Sequence, residues 1–108
     1  MSYILIESTA PTKKEATKLA KAILGGQPRL AACVQITGPI TSHYHWEGKL
    51  EEAEEYRLSI KTHQRFQPEI AKVITSLHPY ECPEIITIAA EFSPAYAAWA
   101  AATLSEGV

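Results

Sequence analysis

The stretch LAACVQITGPITSHYHWEGKLEEAEEYRLSIKT, residues 30–62, decides how the chain is organised. In its first half Leu30, Ala32, Val34 and Ile36 share one parity, and past the Gly38-Pro39 break Ile40, Tyr44 and Trp46 do too. On the return Leu50, Tyr56, Leu58 and Ile60 repeat the alternation, with Arg57, Ser59 and Lys61 facing the other way. Period-two alternation marks a strand with one buried face. The two runs meet at Trp46-Glu47-Gly48-Lys49. Each arm is far longer than the usual strand of about five or six residues. A hairpin of that reach overshoots a small domain, so its tip either stands in solvent or lies on another molecule.

Outward from the hairpin the period changes. On the N-terminal side Tyr3 to Glu7 is a short apolar run, readable as a central strand. Thr12 followed by Glu15 fits a capping box. Ala16, Leu19, Ala20 and Ile23 then give one apolar helical face, and Gly25-Gly26 ends it. On the C-terminal side Phe66, Ile70, Val73, Ile74 and Leu77 return to helical spacing. Pro68 requires a place in the first turn, where its missing N–H costs nothing. Pro79 pushes His78 out of the helical region and stops the helix. Residues 84–90, EIITIAA, read as a strand buried on both faces. Ser93-Pro94 opens a short alanine-rich helix through Leu104, with Tyr96 and Trp99 as its anchors.

The order is β-α-β-β-α-β plus a C-terminal helix: an α+β, ferredoxin-like sandwich with a long central hairpin. The 108 residues fit one domain, which at this size buries roughly 65% of its unfolded surface. Hydrophobic residues at 46% and charged residues at 20% describe a soluble globular chain. A net charge of −2 lacks the basic field that nucleic acid binding needs. No apolar run reaches bilayer length, and the N-terminus carries no signal-peptide pattern, so no membrane partner and a cytoplasmic location are expected. In that compartment Cys33 and Cys82 are expected as free thiols, Cys33 buried as a small hydrophobe.

Chemistry-bearing residues are few. His43 and His45 share a strand face and could hold a transition metal with a third ligand, though two histidines on a solvent-facing side are the more ordinary reading. His63 sits where a cap or turn role is natural. His78 belongs to an irregular segment, HPYE, of the kind where binding groups concentrate. Glu47, Glu51, Glu52, Glu54 and Glu55 surround the hairpin tip and read as a solvated edge that discourages unwanted pairing. Nucleophile elbows, phosphate loops and zinc-protease helices are absent from the sequence. A Cys82–His78 couple is the one nucleophile–base pairing worth testing, through the reactivity of the thiol.

The motifs LAACV at 30–34, ITSHYHWEGK at 40–49, IKT at 60–62 and HPYECPEI at 78–85 resemble the CutA divalent-cation tolerance proteins. TAPTKKEA at 9–16 and the late Tyr96 and Trp99 fit as well, so the likeness covers nearly the whole chain. The resemblance implies a non-enzymatic homotrimer in which the hairpin pairs onto neighbouring subunits, and a link to tolerance of copper and other divalent metals. It also implies a likeness in architecture to the PII signalling trimers. Metal-site proposals for that family point to a cysteine at the exit of the first strand and to paired histidines before Pro-Tyr. Here Ser8 and Leu77-His78 occupy those positions, so of that set His78 alone carries over as a metal ligand. No cofactor is required, and copper is the divalent metal that the resemblance favours. Tyr44, Trp46, Tyr80 and Glu81 are candidates for a subunit interface or the cleft beside it. Lys61 joins Tyr80 and Glu81 as a candidate contact if the protein instead senses a small molecule, as PII trimers do. A downstream protein partner or small ligand is expected but not named by the sequence.

Overall fold

The computed structural model describes residues 2–106, with the side chains of residues 105 and 106 outside the description. The order is β1 (Tyr3–Ala10), α1 (Lys13–Leu24), β2 (Cys33–Trp46), β3 (Lys49–His63), a 3₁₀ turn (Gln64–Phe66), α2 (Gln67–Leu77), β4 (Ile86–Ala90) and α3 (Pro94–Glu106). The four strands form one antiparallel sheet in the order β2-β3-β1-β4. This is the expected ferredoxin-like layout, with β1 and β3 central and α1 and α2 packed on one face.

The local devices follow from the residues. The Thr12 hydroxyl accepts from the Glu15 N–H at 3.1 Å and caps α1, while Glu15 itself adds favourable charge to the first turn. Pro68 sits at the start of α2, and His78 leaves the helix with φ −74° and ψ 139° under the constraint of Pro79. Ile4, Ile6, Leu19, Ile23, Leu58, Ile60, Ile70 and Ile74 form the core between sheet and helices. At the sheet edge the Thr62 hydroxyl, fully buried, donates to the Leu30 carbonyl at 2.6 Å and ties the start of β2 to β3.

The hairpin closes through a two-residue loop in which Glu47 and Gly48 both take positive φ, 50° and 79°. That is the turn whose twist suits a tight hairpin. Along the arms, Ile36 faces Leu58 and Thr37 faces Arg57, but Ile40 faces Glu55: one extra residue stands on β2. The bulge reverses the parity between the arms. Below it the even residues of β2 share the helix-covered face with Leu58 and Ile60. Above it Tyr44 and Trp46 lie on the opposite face, beside the odd residues of β3. Unbroken parity through Gly38-Pro39 is therefore corrected: the outer rings project from the other side of the sheet.

Four further expectations change. β4 is an edge strand rather than one buried on both faces, with Ile86 49% and Ile88 43% exposed, because an apolar run does not encode the strand's place in the sheet. Trp99 is 47% exposed, and α3 is anchored instead by Ala100 and Leu104, both buried, and by Tyr3, whose hydroxyl donates to the Ala97 carbonyl at 3.2 Å. Cys33, opposite Lys61, is half-buried on the face away from α1 and α2 rather than in the core. Glu55 is not a solvated edge residue; it is 6% exposed.

Candidate functional site

β1 stops pairing with β3 at Tyr56, so from Glu55 outward that edge of β3 has lost its neighbour. The connector after α2 comes to this edge. Its position is fixed by His78, which is buried and engages the backbone through both ring nitrogens. Nε2 lies 2.6 Å from the Thr9 carbonyl and must be the donor there, and Nδ1 accepts from the Tyr80 N–H at 3.1 Å. The Tyr80 phenol then donates to Oε2 of Glu55 at 2.9 Å. Burial, followed by the Glu55 carboxylate that the phenol bonds, pushes the Tyr80 hydroxyl above its ordinary pKa.

Between the connector and the hairpin lies an open cleft of about 720 Å³. Its walls include Tyr44, Trp46, Glu55, Tyr80, Glu81 and Glu84. The Glu84 carboxyl is raised above the usual range, first by desolvation and then by the charge of Glu55. Of the residues singled out in the sequence, Tyr44, Trp46, Tyr80 and Glu81 thus meet in one place. Lys61 does not: its ammonium stands 5.7 Å from the ring of Tyr96, on the sheet face beneath α3.

Of the metal candidates, His43 stands on the cleft wall and His45, His63, His78 and Ser8 do not line it. His78 would have to give up one of its two backbone bonds to coordinate a cation. Ser8 is fully buried, next in sequence to the Thr9 carbonyl that His78 bonds, and its hydroxyl lacks a hydrogen-bond partner among the described residues. Leu77 packs against the core. His43 and His45 are exposed, with His43 Nδ1 3.7 Å from Glu52 across the strands. His63 caps the 3₁₀ turn by accepting from the Arg65 N–H, and desolvation and then the Arg65 charge lower its pKa. No cluster of three or more His, Cys, Asp or Glu able to hold a metal occurs among the described residues. Cys82 is exposed on the cleft wall, whereas the imidazole of His78 is committed to backbone, so the couple is not assembled. No helix among the described residues is long and apolar enough to cross a membrane.

Sequence reasoning missed Glu55 and Glu84. Glu55 stands in a run of glutamates, and its burial depends on a tyrosine that arrives from a connector 25 residues later.

Comparison with known proteins agrees with this architecture. The chain is 40% identical over 92 residues to the mouse protein CutA, covering 84% of this chain and 51% of that one. It is 38% identical over 92 residues to the divalent-cation tolerance protein CutA of Thermus thermophilus, covering 84% and 87% respectively. It spans about half the length of the mammalian relatives it matches. The crystal structure of CutA from Xylella fastidiosa superposes with a TM-score of 0.89 at 32% identity, covering 96% of this chain and 99% of that one. Residues 4–103 match the model of the family described as CutA1 divalent ion tolerance protein, and the chain belongs to that family.

Proposed function

We propose that this chain is a non-enzymatic, cytoplasmic homotrimer that serves the cell's tolerance of divalent cations, copper among them, through assembly and signalling rather than sequestration. The observation that carries this reading is the uncovered apolar surface. Ile86 and Ile88 on the edge strand and Trp99 on α3 are each between 43% and 49% exposed. At the other end of the molecule the hairpin leaves Tyr44, Trp46 and Leu50 in solvent and the outer edge of β3 unpaired. Unpaired edges and apolar patches of this kind are hazards unless a partner covers them, and a cyclic arrangement closes them by symmetry. Sedimentation equilibrium tests the assembly: a trimer is expected at micromolar concentration, and a folded monomer would overturn the reading. Calorimetric copper titration of wild type and the His43→Ala/His45→Ala pair tests the second part. Equal, weak binding is expected, and a strong stoichiometric site lost in the pair would make sequestration the function.

A second reading, a small-molecule-sensing trimer comparable to the PII proteins, is favoured by the cleft between hairpin and connector. A thermal-shift screen of metabolites tests it, with stabilisation of the folded protein by a cleft ligand as the expected result.

A further inference from the structure

A charged cluster stands on the sheet face turned away from α1 and α2. Glu7 on β1 lies opposite Ile86 on β4, and Leu5 opposite Ile88, so the Glu7 carboxylate rises at the rim of the uncovered apolar strand. Arg57 on β3 shares this face, with Nε 4.0 Å from Oε1 of Glu7. Oε2 of Glu7 is buried and has no hydrogen-bond partner among the described residues. Glu84, just before β4, feels the charges of Glu55, Arg57 and Glu7. Glu55 is buried and bonded by the Tyr80 hydroxyl. Three carboxylates thus share one guanidinium. From β2, His43 and Tyr44 face the same region, and the connector adds Tyr80, Glu81 and Cys82. Of these, His43 alone can become a cation, and its Nδ1 is turned to Glu52 at 3.7 Å. Lys61, farther along the same sheet face, has its ammonium 5.7 Å from the Tyr96 ring.

We propose that this cluster links assembly to protons: a second copy covering the sheet face makes Glu84 take up a proton, and association tightens as pH falls. The inference rests on the assembly reading and adds its regulation. A subunit that covers Ile86 and Ile88 also removes water from the carboxylates at their rim. Water now screens the half-exposed Arg57 and the charges around it. Once that water is gone, a single guanidinium balances a single carboxylate, and Arg57 is already directed to Glu7. Glu55 keeps its phenol donor, which leaves Glu84 as the group that gains most from neutralisation. Its carboxyl is already raised, by desolvation first and by Glu55 second, and the opposing charge of Arg57 does not cancel the two. Assembly extends the desolvation, so the assembled state binds this proton more tightly than the free subunit does. That part of the assembly's stability is present below the free subunit's value and is lost as pH rises through the assembled one.

The test is fluorescence-detected sedimentation equilibrium of the full chain at constant ionic strength, with one fixed urea concentration chosen to populate both species. From about pH 8 to about pH 5 the wild-type dissociation constant should fall by about tenfold or more, since each proton taken up contributes up to about tenfold per pH unit. Glu84→Gln, which cannot ionise, should associate tightly at the alkaline end and lose most of the dependence. His43→Ala/His45→Ala removes the hairpin imidazoles that titrate in the same range and should keep the wild-type slope. A trimer whose affinity ignores pH, a slope that survives in Glu84→Gln, or a slope lost in the histidine pair would overturn the proton linkage while leaving the assembly reading intact. Association that weakens on acidification would also overturn it, by showing that the second copy brings a cation to the cluster. A wild-type monomer throughout the range without urea would instead remove the assembly reading, and the linkage with it.

Discussion

The Tyr80 phenol and the Glu55 carboxylate, 25 residues apart, meet at 2.9 Å and join the connector after α2 to the outer half of the hairpin. The bond closes the inner wall of the cleft where β1 has ended. It also satisfies a carboxylate that folding has removed from water, so its loss has two costs, one energetic and one geometric.

Tyr80→Phe should therefore destabilise the fold. Hydrogen bonds to charged groups contribute about 1.5–3 kcal/mol, and here the carboxylate left behind is buried. The unfolding free energy is expected to fall by that amount, seen as a lower denaturant midpoint with the m-value unchanged. Glu55→Gln keeps a carbonyl acceptor for the phenol and should cost less. A Tyr80→Phe midpoint equal to wild type would mean that Glu55 is solvated in solution.

Glu84 gives the cleft a pH dependence of defined sign. Its folded pKa is raised, first by desolvation and then by Glu55, so the native state binds this proton more tightly than the unfolded chain does. Its contribution to stability is thus present in full below the ordinary glutamate pKa of about 4.3 and is lost as pH rises through the raised value. Carbon-detected NMR of the Glu84 carboxyl should place its midpoint above the ordinary glutamate value. Glu55→Gln should move that midpoint down, because the second-largest cause is removed. An unmoved midpoint would assign the whole shift to burial.

Much of the fold was legible because it rests on local periodicity. The helical faces at Ala16 to Ile23 and Phe66 to Leu77, the Thr12 cap and the Pro68 start needed no tertiary information. The hairpin's reversal of faces was not legible, since the alternation of Ile36, Ile40, Tyr44 and Trp46 looks unbroken. The extra residue shows itself only when Ile40 is set opposite Glu55. Burial of Glu55 was hidden for a related reason: a glutamate among glutamates reads as surface until a distant tyrosine covers it. The exposed Ile86 and Ile88 mark the opposite limit. An apolar run predicts burial, and only the strand order, with β4 at the edge, accounts for the exposure of both side chains.

The bulge makes Gly38 a sensitive position. A Cβ added there would stand 2.5 Å from Cδ2 and 3.0 Å from Cγ of Tyr56, and 3.1 Å from the Glu55 carbonyl oxygen. Tyr56 packs against the core, so its ring cannot swing away without loss. Gly38→Ala is expected to cost about 1–3 kcal/mol, the range for forced overpacking. Tyr56→Ala in the same background should recover part of this, and a double-mutant cycle measures the coupling. Strict additivity of the two substitutions would place the strain in the backbone rather than in the ring.

His78 is the residue on which the metal and structural accounts diverge most sharply. Buried, and bonded to the Thr9 carbonyl and the Tyr80 N–H, it acts as a clasp between the end of β1 and the connector. His78→Ala leaves that carbonyl without its imidazole donor and frees the segment that carries Tyr80, Glu81 and Cys82. A loss of about 2–4 kcal/mol is expected from two hydrogen bonds and the void left by the ring. Amide exchange should accelerate at Tyr80 before it does in the core. Copper affinity, measured on the same samples, should stay as in wild type, because neither ring nitrogen is free in the native state. A variant with native stability and diminished copper binding would reverse the assignment and make His78 a ligand whose backbone bonds give way to the metal.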